Sequence, residues 1–211
     1  NIVTNIYLCK MATILQATKL SKSYGTKILF KDLDLNINQG DKVALIAPNG
    51  TGKSSLLKII AGKDSTDINA NGEPGSIQIF STNGIAFLEQ EPNFDLDNSV
   101  FEEVYTGDNE LSRTTAQYER AILSGNPNEL EKAIAHMDRV DGWQYELKIK
   151  QILSSLNIPD LNQKMNQLSG GQKKRVALAK MMINQSDFIV LDEPTNHLDL
   201  ETIEYLEEYL K

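Results

Sequence analysis

The spacing of apolar residues changes along the chain and divides it into stretches of different period. From Thr13 to Leu45 apolar residues alternate or come in short runs, TILQATKL, KILFKDLDLNI and KVALI, separated by Gly25, Gly40 and Asp41. A period of two broken by tight turns predicts short strands. The stretch APNGTGKSSLLKIIAG shifts to helical spacing, with Leu56, Leu57, Ile59 and Ile60 on a helix that Gly62 closes. SIQIF and GIAFL, around the turn-rich STNG, predict two more strands. From Ser99 to Leu156 the spacing is helical throughout. LSGGQKKRVALAKMMI predicts a further helix with a polar start, FIVLDE a buried strand, and a last helix carries Leu200, Ile203, Leu206 and Leu210. Antiparallel strands first, then strand, helix and strand again, predict an α/β protein carrying a helical insert.

Inside the insert, Leu111, Thr115, Tyr118 and Ile122 share one face of a first helix, and Leu130, Ile134, Met137 and Val140 one face of a second. Between them Asn126 is the expected N-cap, Pro127 the first helical residue and Glu129 the returning partner of a capping box. This describes an antiparallel helical hairpin. A third helix is expected to start at the cap Asp141 and to turn Tyr145, Ile149, Ile152, Leu153 and Leu156 inward.

Composition narrows the function classes. The 211 residues are 40% hydrophobic and 24% charged, with a net charge of -8, so bulk charge cannot grip nucleic acid and any such contact must be local. One cysteine, Cys9, and two histidines exclude an internal disulfide and a metal cluster built on those residues. No run of about eighteen apolar residues occurs, and the expected location is the cytoplasm with no membrane partner. Residues 1–10 precede Met11 and are expected to be an extension, the competing reading being an edge strand using Ile2, Val3, Ile6, Tyr7 and Leu8. The last helix stops at Lys211 without a cap signal, as in a C-terminally truncated domain.

The strongest local motif is Ala47-Pro48-Asn49-Gly50-Thr51-Gly52-Lys53-Ser54, between an expected strand and an expected helix. Polyphosphate needs converging backbone N–H groups, hence glycines where a Cβ would block approach. Lys53 would reach the β/γ-phosphates and Ser54 would hold Mg²⁺. Asn49, Gly50, Thr51, Gly52, Lys53, Ser54 and Ser55 are the candidate nucleotide-binding residues. Ala47 stands where the motif usually has its first glycine. In Phe188-Ile189-Val190-Leu191-Asp192-Glu193 a buried strand delivers two carboxylates, Asp192 for a metal-bound water and Glu193 for an attacking water. Leu168-Ser169-Gly170-Gly171-Gln172 opens a helix in an anion-binding geometry, although a plain capped helix has the same sequence.

In this order, phosphate loop, LSGGQ and then apolar residues leading to Asp-Glu, the chain from Thr13 to Lys211 resembles the ATPase domain of the ATP-binding cassette family. The resemblance implies an ABC-type P-loop ATPase core with an N-terminal antiparallel β subdomain and an inserted, arm-like helical hairpin. It implies that Tyr24 stacks on adenine and that Gln90 touches Mg²⁺ and the lytic water. It implies further that Glu193 is the general base and that Ser54, Gln90 and Asp192 organise Mg²⁺. Ser169, Gly170, Gly171 and Gln172 act in trans on the nucleotide of a paired cassette, and Asn196, His197, Leu198 and Asp199 form the loop that crosses between the two.

The run from Asp192 to Glu204 further resembles the soluble F subfamily, where transporter ATPases more often carry Ser-Ala in place of Asn196-His197, and the stretch DGWQYELKIKQIL looks most like its Uup-type branch. The expected division is extension 1–10, nucleotide-binding core 11–98, helical insert 99–160 with the hairpin at 108–140, and signature and carboxylate part 161–211. The implied protein is a cytoplasmic, ribosome-associated translation factor with ATP and Mg²⁺ as cofactors. Its implied partners are a second cassette and ribosomal RNA or tRNA. A clamp on structured nucleic acid such as branched DNA, and the energy subunit of a membrane transporter, are the alternatives. The family's γ-phosphate histidine is expected beyond Lys211, since His136 and His197 fall elsewhere, so this stretch alone is expected to be monomeric and nearly inactive. The segment Phe101–Val140 carries more carboxylates than basic residues, so RNA contact there would need individually placed arginines, and a hairpin that only stiffens the cassette remains the plainer reading.

Overall fold

The computed structural model describes residues 12–68, 72–107 and 109–211. Both readings of residues 1–10 lie outside them. The chain divides into two compact units, Asn1–Ala86 with Asp187–Val190, and Phe87–Ser186 with Leu191–Lys211.

In the first unit, β1 (Thr13–Tyr24), β2 (Lys27–Asn38) and β3 (Ser76–Ile79) form an antiparallel sheet in the order β2-β1-β3. Tyr24 faces Lys27 across the two-residue turn Gly25-Thr26, and Gly25 supplies the positive φ of +59° that a tight hairpin demands. The strands are longer than the sequence pattern suggests, because bulges carry them past their breaks. Lys19 and Asp32 sit at positive φ, where the amide of Lys19 donates to Asp34 Oδ1 (2.7 Å) and that of Asp32 to Ser21 Oγ (3.0 Å). Leu15 and Leu20 are fully buried, and helix α1 (Lys53–Ile60) buries Leu56, Ile59 and Ile60.

The segment KVALI does not form a strand. Residues 41–48 carry no regular structure, and Val43, Leu45 and Ile46 are 61, 45 and 91% exposed. A strand is a property of a pair, and among the described residues no ladder partner lies beside this segment, so β propensity alone cannot order it.

Strands β4 (Ile85–Leu88) and β5 (Phe188–Leu191) form a second, two-stranded sheet. Asp187, just before β5, clips the turn leading into β4. Its Oδ2 accepts from the amides of Thr82 (3.0 Å) and Asn83 (2.9 Å) and from the Thr82 hydroxyl (2.8 Å), and its Oδ1 from Asn83 Nδ2 (2.8 Å).

The second unit is helical: α2 (Val100–Val104), α3 (Glu110–Ser124), α4 (Pro127–Val140), α5 (Trp143–Ser155), α6 (Gly170–Asn184) and α7 (Leu200–Tyr209). Helices α3 and α4 pair as the expected hairpin, and α6 packs against α2 and α5. Asn126 caps α4 and Pro127 is its first residue, but Glu129 accepts from the Asn126 side chain (3.2 Å) and Ser124 Oγ (3.1 Å) instead of closing a box on the backbone.

The interior face is also displaced from the one read in sequence. Thr115 and Met137 are buried, yet Ile122 and Ile134 are exposed, and Ser112, Ala116, Glu119 and Ala133 face inward. Small side chains at a helix crossing permit close approach, which outweighs the attraction of burying larger ones at its rim. Asp141 does not cap α5. It turns to φ +52° to close α4, and Gly142 precedes α5 because a Cβ there would stand 2.8 Å from Met137 Sδ. In the last helix Thr202 and Leu206 are buried while Leu200 is 69% exposed, since Asp199 caps the helix and leaves its first residue at the rim.

The amide of Asn83 and the neighbouring donors hold the Asp187 carboxyl down to about 2, against about 3.9 for a free aspartate. A depressed carboxylate stabilises the fold above the unfolded value, and that contribution disappears as pH falls from about 4 to about 2. Asp187→Ala should lower the urea midpoint at pH 6, and the gap to the parent should narrow as pH drops from 5 to 3. A pH-independent gap would show that the clip is not ionic.

Candidate functional site

The candidate residues form two clusters, one in each unit. In the first unit the loop from Ala47 leads into α1 through Gly50 and Gly52, at φ +75° and +100°. Gly52 is the N-cap of α1, and no side chain caps the helix, so its first-turn N–H groups face outward as donors. Glycine is required at position 52 twice over: by its φ, and because a Cβ would stand 2.8 Å from Leu29 Cβ. Ala47, the departure from the usual motif, is tolerated because its φ is not positive. Lys53 folds over the loop and donates to Ala47 O (2.7 Å), Pro48 O (3.2 Å) and Asn49 Oδ1 (3.3 Å). Thr51 Oγ1 donates to Pro48 O (2.8 Å), and Ser54 and Ser55 lie in the first turn of α1. Glycines, helix amides and an ammonium on one short loop suit an anionic polyphosphate.

Tyr24 ends β1 and is 59% exposed, with Lys22 Nζ 5.7 Å from its ring centroid. Its cross-strand neighbour Lys27 donates to Gly50 O (3.0 Å), which ties the aromatic hairpin to the phosphate loop. Lys27 was not legible as a site residue. Its one signal is the two-residue Gly-Thr turn that sets it opposite Tyr24.

The second cluster is built around Glu193, which follows β5 at φ +45°. Gln90 Nε2 (2.9 Å) and Asn196 Nδ2 (2.6 Å) both donate to Glu193 Oε2. Two residues singled out separately in sequence therefore orient the same carboxylate oxygen. Asp192 is 3% exposed, and its amide donates to Leu88 O (2.9 Å). Ser54 in the first cluster, and Gln90 and Asp192 in the second, each carry an oxygen of the hard kind that Mg²⁺ takes.

Ser169 caps α6 in a reciprocal box. Its Oγ accepts from the Gln172 amide (3.3 Å), and its own amide donates to Gln172 Oε1 (2.8 Å). Gly170 is unobstructed, whereas a Cβ on Gly171 would stand 3.0 Å from His197 O, so the crossing loop packs directly on the signature backbone. His197 lies at φ +64°, Leu198 donates its amide to Thr195 O (3.3 Å), and Asp199 caps α7 through the Thr202 amide (2.9 Å). That amide holds the Asp199 carboxyl below its ordinary value, and Arg175 adds an ion pair at 2.9 Å.

Sequence reasoning also missed Lys174. The residue is 2% exposed and donates to the carbonyls of Glu89 and Gln90, each at 3.0 Å. Burial pulls its ammonium down, while Asp192 and Glu193 pull it back up. The available signal was its position four residues before Leu178 and eight before Met182, on the buried stripe of α6.

Residues 30–196 match the family model described as ABC transporter. Among curated proteins, the chain is 42% identical over 94% of its length to the uncharacterized ABC transporter ATP-binding protein YfmR of Bacillus subtilis, covering 32% of that protein. It is 32% identical over 91% of its length to the energy-dependent translational throttle protein EttA of Mycobacterium tuberculosis, covering 35%. To the ATP-binding protein Uup of Haemophilus influenzae it is 35% identical over 89%, covering 29%. The chain thus spans about a third of the length of these relatives. A solved ATP-binding subunit of an ABC transporter superposes with a TM-score of 0.64 at 21% identity, over 94% of this chain and 73% of that one, which shows the fold.

Gly52→Ala forces an L-residue to φ +100° against Leu29 and should destabilise the chain by about 1–3 kcal/mol. Leu29→Ala in the same chain should recover the steric part and leave the backbone strain. Equilibrium urea unfolding of the single and double variants measures both.

Proposed function

The chain belongs to the ABC transporter family of ATP-binding domains, and from that premise we propose that it is the MgATP-binding and hydrolysing cassette of a soluble, two-cassette F-subfamily protein acting on the ribosome in the cytoplasm. One observation carries the reading: Asn196, which with His197 stands where transporter ATPases more often carry Ser-Ala, donates directly to Glu193, the candidate base. Support comes from relatives named as a translational throttle and as Uup, and from the helical hairpin between Gln90 and the signature.

In this reading Tyr24 stacks on adenine, and Lys53 with the loop and α1 amides binds the phosphates. Ser54, Gln90 and Asp192 would hold Mg²⁺, which would supply neutralisation of charge on the phosphate oxygens. Glu193, oriented by Gln90 and Asn196, takes the proton from the attacking water as it moves in line on the γ-phosphate. ABC cassettes work in pairs, and the partner is the second cassette, on whose nucleotide Ser169, Gly170, Gly171 and Gln172 act.

A nucleotide-dependent clamp on branched DNA is the second reading. Either nucleic-acid role must be met by few cations, since Arg139 pairs with Glu110 (3.9 Å) and Arg120 lies over the Phe101 ring (5.4 Å). No helix of the described residues is long and apolar enough to cross a membrane.

In the full-length protein Lys53→Ala should lose the phosphate contribution to ATP affinity, and Tyr24→Ala about 1–3 kcal/mol of stacking. Unchanged ATP binding by Lys53→Ala, measured by calorimetry, would remove the phosphate-loop assignment.

Glu193→Gln should keep binding and lose about 10²–10⁴ in hydrolysis rate. Its ATP-bound form should be retained on ribosomes in a sedimentation assay. Retention on branched DNA without retention on ribosomes selects the clamp.

A further inference from the structure

Lys174 is a charged side chain with 2% exposure, placed among the apolar residues of α6, and the proposed chemistry gives it no task. An ammonium leaves water at a large cost unless its protons find acceptors, so what it is bonded to indicates what it is for. The acceptors are not carboxylates. They are the carbonyls of two consecutive residues, Glu89 and Gln90, each at 3.0 Å. Consecutive carbonyls in extended backbone point to opposite sides, so one donor reaching both fixes a curl of the chain at the residue whose side chain meets Glu193.

From there a closed ring of contacts can be followed. Lys174 holds Gln90, Gln90 Nε2 holds Glu193 Oε2 (2.9 Å), and Asn196 Nδ2 holds the same oxygen (2.6 Å). The next residue, His197, lays its carbonyl against Gly171 at the start of α6, one turn before Lys174. The candidate base thus belongs to one ring with the helix that the signature Ser169 caps, and Lys174 closes that ring.

We propose that Lys174 is a positioning residue whose two hydrogen bonds to the Gln90 loop make that loop and the signature helix move as one body, so that engagement of Ser169 by the opposing cassette sets the placement of Gln90 and Glu193. The inference rests on the ATPase reading above and deepens it. Lys174 itself touches no substrate; it acts through the backbone it holds.

The test uses Lys174→Met, which keeps length and apolar bulk but has no donor, alongside Lys174→Arg and Lys174→Gln, which keep donors on a longer and a shorter reach. Hydrogen exchange of the amides at residues 88–91 of the full-length protein should speed up by about tenfold or more in Lys174→Met, with the amides of α5 and the rest of α6 unchanged. Turnover should fall by about 10–100-fold with KM for ATP held within about twofold, as expected for a misplaced group and not a lost binding contact. At least one of the donor-bearing variants should restore turnover to within about threefold of the parent.

Parental exchange at residues 88–91 in Lys174→Met overturns the proposal. So does a loss of turnover that neither Arg nor Gln repairs, or one accompanied by an equal loss of ATP affinity. The exchange measurement needs no turnover. If Glu193→Gln leaves hydrolysis intact the assignment of the base falls, yet faster exchange still supports the tie and unchanged exchange still overturns it.

Discussion

Desolvation of lysine is the constraint on which the helical unit is organised. Helix α6 carries two ammonium groups on its packed faces, Lys174 almost wholly out of water and Lys180 only partly so, and each is tied to what lies beside it. Lys174 takes the carbonyls of the Gln90 loop, and Lys180 pairs at 3.0 Å with Glu103, a 6% exposed carboxylate of α2 that Asn98 also holds at 2.8 Å. Removing one side of such a pair leaves a charge or acceptors stranded, which costs far more than the pair contributes over an apolar replacement. The bonds therefore act less as sources of stability than as selectors of one arrangement. In the strand unit the same device appears where Lys22 reaches Asp64 Oδ1 and Ser65 O, each at 2.8 Å, and fastens the segment after α1 to β1.

The sequence disclosed elements wherever a local rule was enough. Asn126-Pro127 started α4, Ser169 started α6, and the alternation in β1 and β2 survived four register shifts, because caps and strand periods are decided within a few residues. It failed where a distant neighbour decides. Residues 42–46 have every propensity for a strand and no partner among the described residues. Ile122 and Ile134 lost the hairpin interior to Ala116 and Ala133 because the distance between helices, and not the hydrophobicity of each, selects what fits.

The candidate site was legible in its motifs and silent in its supports. Gln90, Glu193 and Asn196 could be named from their surroundings in sequence, but that the side-chain amides of Gln90 and Asn196 converge on one carboxylate oxygen of Glu193 is a fact of three dimensions. Lys27, Lys174 and Arg175 carry no motif of their own. Glu193 and His197 both occupy the left-handed region, which costs an L-residue about 1–2 kcal/mol, and no residue of DEPTNHLD would disclose that on its own. The strain is held by the two amides on Glu193 and by the close packing of His197 O on Gly171.

The stretch before the phosphate loop, which is neither helix nor strand, has a consequence for the protein as a solute. Val43, Leu45 and Ile46 present apolar side chains and unladdered amides together, the surface that recruits a strand from a neighbouring molecule. Opposing this is a net charge of -8, which keeps copies apart while their fields overlap. At about 0.1 M salt those fields reach only about 10 Å. Colloidal behaviour is thus set by a balance between sticky backbone and mutual repulsion, and raising ionic strength tips it toward self-association without altering the fold of any one molecule.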